Sequence, residues 1–261
     1  MLKSRICKQE DFETPWFRQA CEKCKEPHRY HRKLWEFCYI YQGFLERGVL
    51  QPEKKGLGFG VGTEPLVPLF ASHGCQITAT DLDYSSALAQ GWVNTNQHMS
   101  SIDKVNERGI CDPEQFQQLV TFQTLNMNHI TPEFHDQYDF TWSSCSFEHC
   151  GSIELGKQFI VNQMDCLKPG GIAIHTTEYN LSSNDSTLEN GPTVIFRQRD
   201  IEWMVETLRG LGHFIEIDYS VGTGEIESYV DVPPYQSDIH LRLQLAQYVS
   251  TSIGLIIKKA E

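Results

Sequence analysis

The chain has 261 residues, 40% apolar and 21% charged, which is enough to bury one large core. Its 19 Gly and 11 Pro are ordinary usage and exclude a fibrous or disordered protein. Asp plus Glu number 34 against 22 Lys plus Arg, and the net charge of −12 repels phosphate backbones, so no nucleic-acid partner is expected. Residues 1–35 are basic, however, so this arm is expected to pack on its own acidic body. No stretch approaches the ~20 apolar residues of a membrane span. The opening Met-Leu-Lys-Ser-Arg-Ile-Cys-Lys leads into no export signal. Nine scattered cysteines, an odd number, suit buried thiols in a reducing compartment, and a cytoplasmic location is the expectation.

In chain order, residues 1–53 read as a helical N-terminal arm or lid, helical over about 8–47 and rich in aromatics such as Trp16, Trp35 and Tyr39. Residues 54–261 read as one α/β domain. Strands are predicted at Lys55–Phe59, Gln76–Thr80, Val120–Leu125, Tyr138–Ser143, Gly171–Thr177, Phe214–Ser220 and Thr251–Lys258. Helices are predicted near Thr63–His73, Ser85–Thr95, Ile153–Leu167 and Asp200–Leu211. Residues 96–118 and 222–248 read as insertions, the second turning at Pro233-Pro234-Tyr235. This order predicts a doubly wound, seven-stranded, mostly parallel sheet whose last strand enters antiparallel. Ligands in such sheets sit at the carboxyl ends of strands where the winding reverses. The arm and the insertions then become its walls.

The run Lys55-Gly56-Leu57-Gly58-Phe59-Gly60-Val61-Gly62-Thr63-Glu64-Pro65 forms a strand, a glycine loop and the opening of a helix. Gly58, Gly60 and Gly62 let the backbone turn tightly and approach a ligand, and the following helix aims amide groups into the same crevice. Pro65 suits the first helical turn. The next strand ends in Asp81-Leu82, an acid placed to accept hydrogen bonds from ribose hydroxyls. A tight turn with no ligand is the plain alternative for the glycines alone; the strand, loop, helix, strand and acid together favour a nucleotide site.

These motifs, with Tyr138-Asp139-Phe140 leading a fourth strand and Leu167-Lys168-Pro169-Gly170-Gly171 before a fifth, resemble the class I S-adenosylmethionine-dependent methyltransferases of Rossmann-like fold. The match spans about residues 54–180. It implies S-adenosylmethionine as cofactor, held by Gly58, Gly60, Gly62, Glu64, Asp81, Leu82, Asn126, Met127 and Ser143. Two positions depart from the family. Gly56 stands where an acid usually meets the methionine end, which shifts that role to Glu64 or an arm residue. Asn126 stands where an acid usually meets the adenine amino group, and its carbonyl oxygen can accept the same bond. A nicotinamide enzyme fits less well, since the third glycine comes one residue early for Gly-x-Gly-x-x-Gly. A DNA methylase would carry Asn/Asp-Pro-Pro-Tyr/Phe after the fourth strand, where Ser143-Ser144-Cys145-Ser146 stands instead.

Methyl transfer to a hydroxyl needs a base. His149 is the first candidate, with Glu148, His175 and Glu178 beside it as catalytic candidates. The plain alternatives are a helix cap for Glu148-His149 and a buried core histidine for His175. Tyr179, Asn180, Tyr235 and His240 are candidate acceptor-wall residues, with simple core closure as the alternative for the last two. No metal is expected: the first ligand position of an acid-x-x-Glu-His run is Cys145, a poor partner for a hard cation. Cys21-x-x-Cys24-x-x-x-His28-x-x-His31 offers zinc-ligand types, but one rigid helix face broken by Pro27 cannot close a tetrahedron. The expected function is methyl transfer from S-adenosylmethionine to a small-molecule or glycan-type acceptor, at oxygen, with a His/Glu general base. The alternative is an inactive cofactor-binding module partnering another enzyme.

Overall fold

The computed structural model describes residues 1–82, 102–235 and 238–261, without the side chains of 102 and 103. In order, the elements are β1 (Ser4–Ile6), α1 (Gln9–Phe12), α2 (Pro15–Cys24), β2 (Tyr30–His31), α3 (Arg32–Glu46), β3 (Lys55–Gly58), α4 (Leu66–Ser72) and β4 (Gln76–Asp81). Next come α5 (Ile102–Val105), α6 (Pro113–Leu119), β5 (Val120–Thr124), β6 (Tyr138–Ser144), α7 (Ile153–Asn162) and β7 (Leu167–Asn180). The chain finishes with α8 (Gln198–Gly210), β8 (Ile217–Asp218), β9 (Ile239–His240), β10 (Leu243–Leu245) and β11 (Tyr248–Lys258).

The main sheet runs β5-β4-β3-β6-β7-β11-β1-β8, with β10 paired to β11 beside that path. From β3 the chain winds out through β4 and β5, then returns to β6 on the other side, so the winding reverses between β3 and β6. β11 enters antiparallel to β7, as expected. Alternation along the strands divides the core. Phe140, Trp142, Ile172, Ile174 and Ile256 face the arm, α2, α3 and α4, whereas Leu57, Phe59, Ala173, Leu255 and Ile257 face α7 and α8. Each large side chain so buried stabilises the fold by roughly 1.5–3 kcal/mol. α3 comes close to the sheet because Gly43 lacks a side chain: a Cβ there would lie 2.6 Å from Ile174 Cδ1.

Several sequence expectations change. The arm does not start as helix; Ser4–Ile6 forms β1 and slots between β11 and β8. Phe214–Ser220 shrinks to the two residues of β8, because Phe214 is 61% exposed and reaches only an isolated bridge to Lys258. β7 starts earlier than Gly171, at Leu167. The predicted helix Ser85–Thr95 lies outside the described residues. In the insertion at 222–248, β9 pairs with β2 in parallel, Tyr30 opposite Ile239 and His31 opposite His240, tying the arm to the far end of the chain. No helix among the described residues is long and apolar enough to cross a membrane.

Candidate functional site

A cavity of about 950 Å³ opens at the carboxyl ends of β3, β4 and β6, where the winding reverses. Its first wall is the glycine loop. Gly60 and Gly62 have φ of +56° and +51°, and a Cβ on Gly60 would lie 3.0 Å from Ser146 Cβ, so glycine is required there twice over. The Gly62 amide donates to Asp81 Oδ2 at 3.2 Å and the Leu82 amide to Oδ1 at 2.8 Å, which fixes the carboxylate's direction at the cavity edge. Asn126 and Met127 line the same cavity, and Asn126 Oδ1 accepts the Asn128 amide at 2.9 Å.

Two glycines serve packing instead. Gly58 leaves room for the Trp142 ring, 2.4 Å from its would-be Cβ, and does not line the cavity. Gly56 does the same for Phe140, again at 2.4 Å, so an acid has no room at that position. The acid nearby is Glu64, a buried cavity residue whose Oε1 accepts the Trp142 indole N–H at 2.7 Å. Burial pushes its carboxyl up to about 8.

The second wall is a buried ionic cluster. Arg32 and Lys33 enter from the first turn of α3, with Glu36 one turn on. Glu36 Oε1 accepts from Arg32 Nη1 (3.2 Å), Cys145 Sγ (2.9 Å) and Ser252 Oγ; its Oε2 accepts from Lys33 Nζ (3.2 Å) and Ser144 Oγ (3.1 Å). Burial opposes its charge, but Lys33 and Arg32 outweigh burial and hold the carboxyl at about 2. Glu178 Oε1 is ion-paired to Arg32 Nη2, and its Oε2 accepts from Ser250 Oγ. Burial raises the Glu178 carboxyl, with Arg32 working against it. Glu148, fully buried, accepts from Thr177 Oγ1 at 3.0 Å through Oε2, and burial pushes it up to about 7. Cys145 joins these walls with φ +48°, a strained backbone for a non-glycine residue.

His149 lines the cavity beside Glu148. Its Nδ1 lies 2.7 Å from the Pro192 carbonyl oxygen, which requires the ring proton on Nδ1 and puts the lone pair on Nε2. Burial lowers its pKa to about 4, so the ring is neutral at pH 7.

Other sequence candidates lie elsewhere. His175 is fully buried among Phe59, Phe147 and Phe159 on the opposite sheet face, its Nδ1 2.8 Å from Ser143 Oγ, and burial lowers its pKa to about 3. This removes both His175 and Ser143 from the cavity; Ser144 lines it instead. Tyr179 packs in that second core, and Asn180 knots the following turn through the Ser182 and Ser183 amides. Tyr235 is partly exposed and its hydroxyl donates to the Gln244 carbonyl at 2.7 Å. His240 is paired with Asp231 at 2.6 Å and stacks at 4.7 Å on His31, which does line the cavity. His240 therefore backs the wall rather than forming it.

Neither metal pattern fits. One ligand atom each of Cys145, Glu148 and Glu178 lie within 4.8 Å of one another. The Arg32 guanidinium already occupies Glu178 and sits 3.4 Å from Cys145 Sγ. Burial and the neighbouring acids keep that thiol protonated. In the arm, Cys21 Sγ meets Cys38 Sγ at 3.7 Å and His28 Nε2 bonds the Phe12 carbonyl, so the four sequence-proposed ligands do not converge.

Arg32, Lys33 and Glu36 were not singled out by the sequence reading. The available signal was an acid at position 36 inside Leu34–Phe44, a run in which Leu34–Tyr41, Gly43 and Phe44 are buried.

No protein-family model matches the sequence, and no curated protein matches it. Solved structures do. The [4+2]-cyclase SpnF superposes with a TM-score of 0.56 at 15% identity over 99% of both chains. The CurJ carbon methyltransferase superposes at 0.50 with 15% identity over 88% of this chain, which spans about half (54%) of that one. The 1,6-didemethyltoxoflavin-N1-methyltransferase of Burkholderia thailandensis, solved with bound S-adenosylhomocysteine, superposes at 0.47 with 14% identity over 85% of this chain and 77% of its own. The first two likenesses, joined to the strand order and the glycine loop, lead to one statement: this chain has the Rossmann-like fold of the class I S-adenosylmethionine-dependent methyltransferases.

Proposed function

We propose that the protein moves a methyl group from S-adenosylmethionine to a hydroxyl of a small molecule or sugar, with His149 as the base. The observation that carries this reading is the pairing of two walls in one cavity: the glycine loop with Asp81 on one side, and His149 beside the buried acids on the other. At about 950 Å³ the cavity stands at the upper end of the range for ligand pockets, which suits a cofactor and a small acceptor together.

The residues present suit the cofactor. Gly60 and Gly62 turn with positive φ, a Cβ on Gly60 would crowd Ser146, and two backbone amides fix the Asp81 carboxylate at the cavity edge, where ribose hydroxyls would meet it. Asn126 and Met127 would flank the base, and Glu64 would meet the methionine ammonium that Gly56 cannot. When bound, S-adenosylmethionine supplies an electrophilic methyl on a sulfonium. The protein's part is to orient the acceptor, exclude water and take one proton. His149 Nε2 is the proton's destination, since Nδ1 is already protonated toward Pro192. The Arg32–Glu178 pair braces that wall. Nine free thiols, eight of them buried, suit a reducing, cytoplasmic setting.

The test is calorimetric titration with S-adenosylmethionine, S-adenosylhomocysteine and NAD, on the native protein and on Asp81→Ala, followed by a screen of hydroxyl acceptors for S-adenosylhomocysteine release. Binding of the two methionine-derived ligands, lost in the variant and absent for NAD, supports the reading. Binding without transfer to any acceptor favours an inactive cofactor-binding module. No binding by either ligand sinks both.

A further inference from the structure

Resting on the methyltransferase reading above, we infer that the acceptor carries an ammonium group next to its hydroxyl, and that Glu148, with Glu178 beside it, forms the subsite that holds it.

The ionic wall is uneven in how its charges are answered. Glu36 is surrounded by Arg32, Lys33, Cys145, Ser144 and Ser252. Glu178 has Arg32 and Ser250. Both cations of the wall are thus engaged by these two acids. Glu148 is different: it is fully buried, it lines the cavity, and its Oε1 has no hydrogen-bond partner among the described residues. Buried carboxylate oxygens are almost always satisfied, so an orphan in a cavity wall marks where a ligand donor belongs. Arg32 Nε is likewise buried without an acceptor. The same wall therefore presents one acceptor and one donor, a match for an amine with a neighbouring oxygen.

Charge selects among ligands that could supply the donor. A phosphate or carboxylate group would meet Glu148 with no cation left to answer it. A divalent metal would have to displace Arg32 and recruit a thiol that stays protonated. An ammonium needs no thiol, and it can share Glu178 with Arg32 and Ser250, because each carboxylate oxygen accepts more than one hydrogen bond. Oxygens of Glu148 and Glu178 lie within 4.8 Å of each other, and a single nitrogen at about 2.8 Å from each reaches both. An amino alcohol or amino sugar seated this way sets its hydroxyl on the wall that His149 shares.

The pairing predicts its own pH dependence. Glu148 is faced by Arg32, Lys33 and Glu36 from α3, by Cys145 before it and Cys150 after it, and by Glu178 from β7. Burial holds its proton to about pH 7. Below that value the carboxyl is neutral and the ammonium loses its counter-charge, while a simple alkyl amine such as 2-aminoethanol remains charged throughout.

The experiment titrates glucosamine and 2-aminoethanol into the protein, with and without saturating S-adenosylhomocysteine, against glucose, N-acetylglucosamine and ethylene glycol as neutral counterparts and glucose 6-phosphate as an anionic one. Binding is read by ligand-observed NMR. The amines should bind about tenfold tighter than their neutral counterparts, and the preference for 2-aminoethanol over ethylene glycol should fall about tenfold between roughly pH 8 and pH 6. Glu148→Gln should abolish both the preference and its pH dependence while leaving S-adenosylhomocysteine affinity intact. If the variant does not fold, the pH dependence of the native protein still decides. Equal binding of amines and neutral counterparts, a pH-independent preference, or a preference surviving in Glu148→Gln overturns the inference. So does tight binding of Mn²⁺ or Zn²⁺ that Glu148→Gln removes. Failure of S-adenosylhomocysteine to bind is a separate result and strikes the methyltransferase reading itself.

Discussion

The Trp142 indole donates a 2.7 Å hydrogen bond to Glu64 Oε1 while its ring fills the space a side chain at Gly58 would need. One aromatic residue thus sets the glycine strand and the acid beside the loop. Glu64 carries a double expectation. Its carboxyl is raised to about 8, so folding is favoured most at low pH, and that contribution is lost as pH rises from the ordinary carboxyl range near pH 4 through about 8. Glu64→Gln should raise Tm at pH 8 by roughly 2–4 °C for each kcal/mol relieved, with little change near pH 4. The same variant should weaken S-adenosylmethionine binding in calorimetry. A variant that stabilises without weakening binding would show that Glu64 does not meet the cofactor.

Restoring the family's usual acid should fail. Gly56→Asp drives a carboxylate into the Phe140 ring, and overpacking alone costs about 1–3 kcal/mol before the charge is counted. The prediction is a lower midpoint in urea unfolding and no gain in cofactor affinity.

His149→Ala should lower the methyl-transfer rate roughly 10²–10⁴-fold with S-adenosylhomocysteine affinity little changed. Because the ring titrates at about 4, the native rate at saturating acceptor should have no limb from His149 between pH 6 and 8, and protonation of His149 should lower it only as pH approaches 4. An unchanged rate in the variant would remove His149 as the base.

His175→Ala should behave in the opposite way. It leaves the Ser143 hydroxyl without its buried partner, a loss of about 1–3 kcal/mol in stability, and should spare the rate per folded molecule. Chemical denaturation beside single-turnover assays separates the two effects.

Glu36→Ala removes the shared partner of Arg32 and Lys33, and stranding buried cations costs roughly 3–5 kcal/mol. With its carboxyl held at about 2, the native contribution is complete above the ordinary carboxyl range and disappears as pH falls through about 2. The destabilisation should therefore be full at pH 7 and shrink in acid, as thermal melts across pH will show.

The parts of the site that were legible in the sequence are those set by local backbone chemistry. Gly60 and Gly62 announce a turn only glycine makes, and Asp81 closes an apolar strand, so both could be read without tertiary information. His175 misled because a histidine in an apolar strand reads the same whichever sheet face it takes; only pairing beside Ser143 fixes the face. Arg32 and Lys33 were hidden by their company: in a basic arm they look like solvated charges, and only the approach of α3 to β6, β7 and β11 brings Arg32 to Glu178 and Ser252 and Lys33 to Ser144. β1 is three residues long, too short for any period to show.

That short strand decides the order in which the sheet can be completed. Arg5 pairs with Gly254 and Ile6 with Ile253, and among the described strands β8 joins the sheet through β1. Of the described strands β1 comes first and its antiparallel partner β11 last, so β1 stays unpaired on that side until β11 has been made. Its edge is held open until then. Contacts of such sequence separation slow folding because their closure entropy is met late. The final docking of β1 against β11 is thus the step at which a half-finished molecule, with a bare strand on offer, is most open to pairing with another chain.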